Sequence, residues 1–153
     1  MRSICALVVL SSAVMSAQSP YISQEARERW HTTDAEPAEP FRVLGNIYFV
    51  GAKGLASYLI TTPEGHILHD TGTVEMHDVI VSNVETLGFD VKDIKFMLHS
   101  HAHVDHMQGH AAMQRATGAE IVALGGDAVA IEAGEDNSAL GDEGWEPAEV
   151  ARV

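Results

Sequence analysis

The sequence predicts an α/β fold in which helices pack on a sheet. Two observations carry this prediction. Between Phe41 and Gly134, short apolar runs bounded by turn residues alternate with segments of helical periodicity, and a cluster of histidines directly follows the most compact of those runs. At 153 residues and 46% hydrophobic content, the chain has the size and composition of one domain that buries a core.

The N-terminus opens with Met1 and Arg2, runs through the apolar stretch Ile4 to Leu10, and continues with small residues up to Ala17. That order predicts a secretory signal over residues 1–17, cleaved after Ala17, and hence a periplasmic or secreted protein; a buried N-terminal helix is the alternative. Cys5, the only cysteine, lies inside this segment, so the exported chain would be held by its core, by metal, or by both. Residues 18–40 are polar, carry Pro20, Pro37 and Pro40, and read as an extended arm with one turn of helix near Glu25 to Arg29.

Residues 41–153 form the main unit. Strands are predicted from Arg42 to Val50 around Gly45-Asn46, from Ala56 to Thr61, and from His66 to His69 after a Thr62-Pro63-Glu64-Gly65 turn. Short strands joined by tight turns imply an antiparallel start. Met76, Ile80, Val84 and Leu87 recur at helical spacing, so Thr73 to Leu87 reads as an amphipathic helix with Thr73 as N-cap and Gly88 past its end. Ile94 to Leu98 is a buried strand. A second helix is expected from Met107 to Thr117, stopped by Gly118, then a strand from Glu120 to Leu124 and a helix capped by Asp127 that ends at Gly134. Beyond Gly134 the acidic residues predict a loop-like, solvated tail.

The net charge of -13 disfavours nucleic acid and anionic membrane as partners, since their binding draws on Lys and Arg, and favours a small-molecule substrate. The chemistry is concentrated in His101, His103, Asp105 and His106, three imidazoles and a carboxylate within six residues at a strand end. These donors suit zinc, and a bent loop can bring His101 and His103 onto one ion while Asp105 and His106 face a second site. His99 reads as a packed histidine, His69 and His110 as tolerated neighbours of the site, and His31, His66 and His77 as surface residues.

The run His-x-His-x-Asp-His resembles the signature of the metallo-β-lactamase superfamily. Its flanks extend the likeness: Pro40-Phe41-Arg42-Val43 with Gly45-Asn46-Ile47-Tyr48, Thr62 to Leu68 before Asp70-Thr71-Gly72, Leu87-Gly88-Phe89, Ser100, and Thr117-Gly118-Ala119 are similar to the third subclass of class B β-lactamases. The motif alone would also suit glyoxalase-like thioesterases and lactonases. The resemblance implies the αββα sandwich of that superfamily, of which residues 41–153 would be the first βα half. It implies two zinc ions, the first on His101 and His103 and the second on Asp105 and His106. Asp105 would also be catalytic, orienting the attacking hydroxide and shuttling its proton. Asp70 would orient the ligands from behind, and Trp30 would line the substrate cleft. The third ligand of each zinc belongs to the family's second half, and no histidine follows His110 here. Three readings therefore stay open: a β-lactam hydrolase, a hydrolase of the same fold acting on a thioester or lactone, and an inactive chain that binds at most one zinc weakly. A half fold would also leave one face of its sheet uncovered.

Overall fold

The computed structural model describes residues 22–136 and 143–152, so the expected export signal at 1–17 lies outside the described residues. The arm folds further than one turn: α1 spans Gln24–Trp30, and the Ser23 hydroxyl oxygen accepts a hydrogen bond from the Ala26 amide at 3.2 Å, supplying the cap that starts it. Seven strands follow: β1 (Phe41–Leu44), β2 (Ile47–Phe49), β3 (Tyr58–Ile60), β4 (His66–His69), β5 (Ile94–Leu98), β6 (Glu120–Val122) and β7 (Val150–Arg152). They form a single sheet in chain order. β1 to β4 pair antiparallel, whereas β4 to β7 pair parallel.

Parallel neighbours require crossovers, supplied by α2 (Met76–Thr86), by α3 (Val104–Met107) with α4 (His110–Thr117), and by α5 (Gly125–Ala133). Because the strand order advances one step each time and such crossovers are right-handed, the connecting helices fall on one face. The register shows that face directly. Leu59, Leu68, Met97 and Ile121 stand side by side across β3 to β6, all fully buried, against Met76, Ile80 and Val84 of α2, Met113 of α4 and Ile131 of α5. Asn83 lies on the same buried side of α2, and its Nδ2 donates to the carbonyls of Val50 at 3.1 Å and Gly51 at 3.0 Å, pinning α2 to the end of β2.

The alternation of strand side chains puts a second apolar ladder on the opposite face: Ile47, Ile60, Ile67 and Phe96 are neighbours across β2 to β5. These four are only half-buried, and Phe41 and Leu44 at the β1 edge are 53% and 74% exposed. Among the described residues no crossover helix lies over this face, as expected of one βα half.

Three local expectations need correction. Thr73 does not cap α2: its hydroxyl donates to the Trp30 carbonyl at 3.4 Å, and the helix begins three residues later. Asp127 lies inside the first turn of α5, where its carboxylate pairs with His99 at 3.3 Å in place of capping. The acidic tail is not a plain loop. Trp145 and Ala148 are buried between exposed glutamates, and Val150–Arg152 adds a strand parallel to β6. Three residues are too few to reveal a period in the sequence, and the surrounding charges belong to the solvated side.

The two faces predict different responses to substitution. Leu68→Ala should destabilise the 153-residue chain by about 2–5 kcal/mol in urea titration, the cost of an apolar cavity. Ile60→Thr on the open face should cost no more than about 1 kcal/mol and reduce binding of a hydrophobic dye. Equal losses at the two positions would show that both faces are covered.

Candidate metal centre

The site forms where the C-terminal ends of β4 and β5 lie side by side, the position at which parallel strands deliver loops to a common crevice. After His69 the chain turns sharply at Asp70, the one described residue other than glycine in the left-handed region, with φ of +59°. Its amide donates to the Leu98 carbonyl at 2.9 Å, continuing the β4–β5 pairing for one more residue. This places the carboxylate under the histidine run.

Asp70 then acts as an acceptor hub. Oδ1 accepts from the Ser100 amide at 2.7 Å, and Oδ2 accepts from the Ser100 hydroxyl at 3.1 Å and from His106 Nδ1 at 2.9 Å. The backbone reinforces the arrangement, because the amides of Thr71 and Gly72 both donate to the His106 carbonyl, at 2.8 and 3.1 Å. Gly109 donates to the Gly72 carbonyl at 3.0 Å, and a Cβ on Gly109 would stand 2.9 Å from the Thr71 oxygen, so only glycine permits this approach.

The four residues singled out in the sequence converge. His101 and His103 lie in the bend after β5, while Asp105 and His106 ride on the single-turn helix α3, not on a continuous loop as expected. Donor atoms of His101, His103 and Asp105 all lie within 4.8 Å of one another. The His101 ring is centred 4.4 Å from that of His103 and 4.1 Å from that of His106, and His106 Nε2 is 3.5 Å from Asp105 Oδ2. Asp105 thus lies near both the His101–His103 pair and its own partner His106, which the sequence assigned to separate ions.

The rings are held from behind. His106 offers Nδ1 to Asp70, and His101 Nδ1 lies 3.1 Å from the Ser100 hydroxyl, which leaves Nε2 of each ring on the cluster side. Such a donor set fits a metal ion: imidazole and carboxylate suit zinc, and fixing the far nitrogen sets the tautomer and ring angle. The electrostatics agree. Burial alone would raise the Asp70 pKa, but the hydrogen bonds from His106 and the Ser100 amide outweigh it and hold the carboxyl below its ordinary value. Burial lowers the His106 pKa, yet Asp70 and Asp105 hold it above normal; His101 is lowered by burial and by the neighbouring His106 and His103.

A model of the metallo-β-lactamase superfamily matches residues 50–152. The chain belongs to the metallo-β-lactamase superfamily. Solved structures agree with that assignment. The metallo-β-lactamase MIM-1 from Novosphingobium pentaromativorans is 38% identical over 78% of this chain and 45% of its own, with a TM-score of 0.74. BJP-1, a subclass B3 metallo-β-lactamase of Bradyrhizobium japonicum, is 38% identical over 80% of this chain and 47% of its own, with a TM-score of 0.72. MIM-2, also a metallo-β-lactamase, is 36% identical over 82% and 51%, with a TM-score of 0.75. The chain therefore spans about half the length of the structures it matches, and its single sheet with helices on one face is the corresponding part of the superfamily's fold.

The remaining histidines divide between packing and tethering. His99 is packed as expected, with its ring 5.4 Å from that of His110. His110 is fully buried, with Nδ1 2.8 Å from the Thr71 hydroxyl; it underlies the site and is not one of the clustered donors. His31 is no plain surface residue: Nδ1 meets Glu75 and Nε2 meets Glu143, each at 3.0 Å. Gln108, too, bridges segments, accepting from the Val74 amide at 3.2 Å and donating to the Gly144 carbonyl at 3.4 Å. Trp30 packs against the hydrophobic core at the end of α1. Sequence reasoning missed Asp136, whose Oδ2 lies 3.9 Å from His103 Nε2, because 33 residues of chain separate the two. No local signal could have joined them.

Burial, and secondarily the nearby His99, lowers the His110 pKa from 6.5 to about 3. The folded chain therefore refuses a proton that the unfolded chain accepts. The sign follows: this contribution to stability is present above 6.5 and is lost progressively as pH falls from 6.5 towards about 3. In the metal-free protein, His110→Gln should flatten the dependence of the urea midpoint on pH across that window. An unchanged slope would show that His110 does not carry it.

Proposed function

We propose that this chain provides the leading half of an exported zinc hydrolase that opens the amide bond of β-lactams. The observation that carries the reading is the convergence of His101, His103, Asp105 and His106 above Asp70, in a chain 38% identical to a subclass B3 β-lactamase. His101 and His103 would hold one ion, and Asp105 and His106 a second. When bound, zinc supplies Lewis acidity and makes water nucleophilic at neutral pH.

The chain's own residues supply orientation and proton handling. Asp70 keeps the proton of His106 on Nδ1 and so keeps Nε2 available as a donor. The Ser100 hydroxyl, itself donating to Asp70, does the corresponding service for His101. Asp105, with its carboxylate near the His101–His103 pair on one side and His106 on the other, would orient a water and hold the proton it gives up at a carboxylate oxygen. Trp30, at the junction of the arm and the core, is assigned to the wall of the substrate cleft.

Turnover of a chromogenic cephalosporin, an acyl thioester and a lactone should be measured on the 153-residue chain and on the product of its complete reading frame. The cephalosporin should be hydrolysed fastest, chelator should abolish the reaction, and zinc should restore it. Asp105→Asn should lower the rate about 100-fold or more. Faster thioester or lactone turnover would replace the substrate, and chelator-insensitive hydrolysis would remove zinc from the mechanism.

Export is the second part of this reading, supported by the charged, apolar and small-residue order of residues 1–17. Expressed with its native N-terminus in a Gram-negative host, the periplasmic protein should begin at Gln18 by mass spectrometry. Recovery from the cytoplasm with residues 1–17 intact would contradict it.

A further inference from the structure

We infer that His31 is a proton-operated clasp: with both ring nitrogens protonated it ties α1 to the loop before α2 and to the segment leading into β7, and on losing a proton it releases the arm. Both ring nitrogens face carboxylates, Nδ1 towards Glu75 Oε2 and Nε2 towards Glu143 Oε2, each at 3.0 Å. A neutral imidazole has one N–H and one lone pair. It can donate to one of these carboxylates, and its bare nitrogen then confronts the lone pairs of the other. Only the imidazolium meets both ionised acids with donors.

The clasp joins parts of the chain that lie far apart in sequence. His31 ends α1, Glu75 directly precedes α2, and Glu143 lies 112 residues beyond His31. Gln108 makes a parallel connection one residue away on each side, through the Val74 amide and the Gly144 carbonyl. Because Gln108 follows α3, which carries Asp105 and His106, the clasp braces the rim of the donor cluster from outside. The remaining ties of α1 are looser: the Thr73 hydroxyl reaches the Trp30 carbonyl at 3.4 Å, and Trp30 packs against the core half-buried. From Asp34 onward the arm is held without His31, since the Gly54 and Lys53 amides donate to the carbonyls of Asp34 and Glu36 at 2.9 and 3.0 Å. Release is therefore confined to the residues of α1 and the turn that ends it.

The charges around the ring agree with this. Arg27 and Glu28 of α1 line the same hollow as His31 and Glu143, but Arg27 is buried, and the Glu28 carboxylate accepts from Gln24 Nε2 at 2.9 Å. The charges in direct contact with the ring are those of Glu75 and Glu143. Burial works against the imidazolium, and the two carboxylates outweigh it, raising the pKa above its ordinary 6.5. The stabilisation is therefore complete below 6.5 and is lost as pH rises through the raised value.

The test titrates the metal-free 153-residue chain, labelled with 15N, with the His31 ring assigned by comparison with His31→Gln. On the acid side both ring nitrogens should show imidazolium shifts, and the midpoint should lie above that of an ordinary histidine. The amides of residues 27–30 should move with the same midpoint, while those of Lys53 and Gly54 stay in place. Below the midpoint His31→Gln should exchange the amides of residues 27–30 about 3- to 10-fold faster than the unaltered chain, and above it the two should exchange alike. Glu75→Gln and Glu143→Gln should each lower the ring's midpoint, whereas Glu36→Gln, which removes a charge from the arm away from the ring, should not. An ordinary midpoint for His31, an equal shift from Glu36→Gln, or α1 amides that ignore the titration would each overturn the clasp. With zinc absent throughout, none of these outcomes bears on the metal reading.

Discussion

The Asp70 carboxylate organises the rest of the site. Two parallel strands end beside each other, and Asp70 joins their loops by accepting from the Ser100 amide, the Ser100 hydroxyl and His106 Nδ1. A buried carboxylate would ordinarily favour its neutral form, but three donors make the ionised form the stable one. The left-handed backbone at Asp70 is the geometric counterpart, since it lets one side chain reach donors on the neighbouring strand end while the main chain still pairs with Leu98. Without that turn, the histidine run would have no fixed floor.

Everything beneath this floor keeps it level. The ladder of Leu59, Leu68, Met97 and Ile121 fixes the relative heights of β3 to β6, and therefore the heights at which Asp70 and the histidine bend emerge. Gly109 lets α4 start close against Thr71, so the turn of α3 carrying Asp105 and His106 is held between the two loops. His110 fills the space below as a neutral, buried ring. Among the described residues the opposite apolar ladder has no helix over it, in keeping with a chain that matches about half the length of its structural relatives. No helix of the described residues is long and apolar enough to cross a membrane.

The arm and the closing segment converge on the same end of the molecule. His31 after α1 lies between Glu75 before α2 and Glu143 after α5, while Gln108 next to α3 touches both the Val74 amide and the Gly144 carbonyl. Burial would lower the pKa of His31, but its two carboxylate partners raise it above the ordinary value. The tail expected to be only a solvated surface is drawn back onto the sheet by Trp145 and β7. That return is what brings Asp136 to His103.

What the sequence determined by itself was everything governed by local pattern. Short apolar runs bounded by turn residues and helical spacings located the strands and helices from Phe41 to Gly134, glycines at 88, 118 and 134 marked the helix ends in the left-handed conformation, and six consecutive residues announced the donor cluster. Tertiary structure alone decided which donors approach one another. It turned Asp105 towards His101 and His103, spent Asp127 on His99 instead of on a helix cap, and placed Asn83, His31 and Asp136 against segments far away in sequence. The physical reason is that periodicity records only which side of an element faces the core, whereas a hydrogen bond or ion pair across loops depends on where the sheet register and crossovers deliver each chain end.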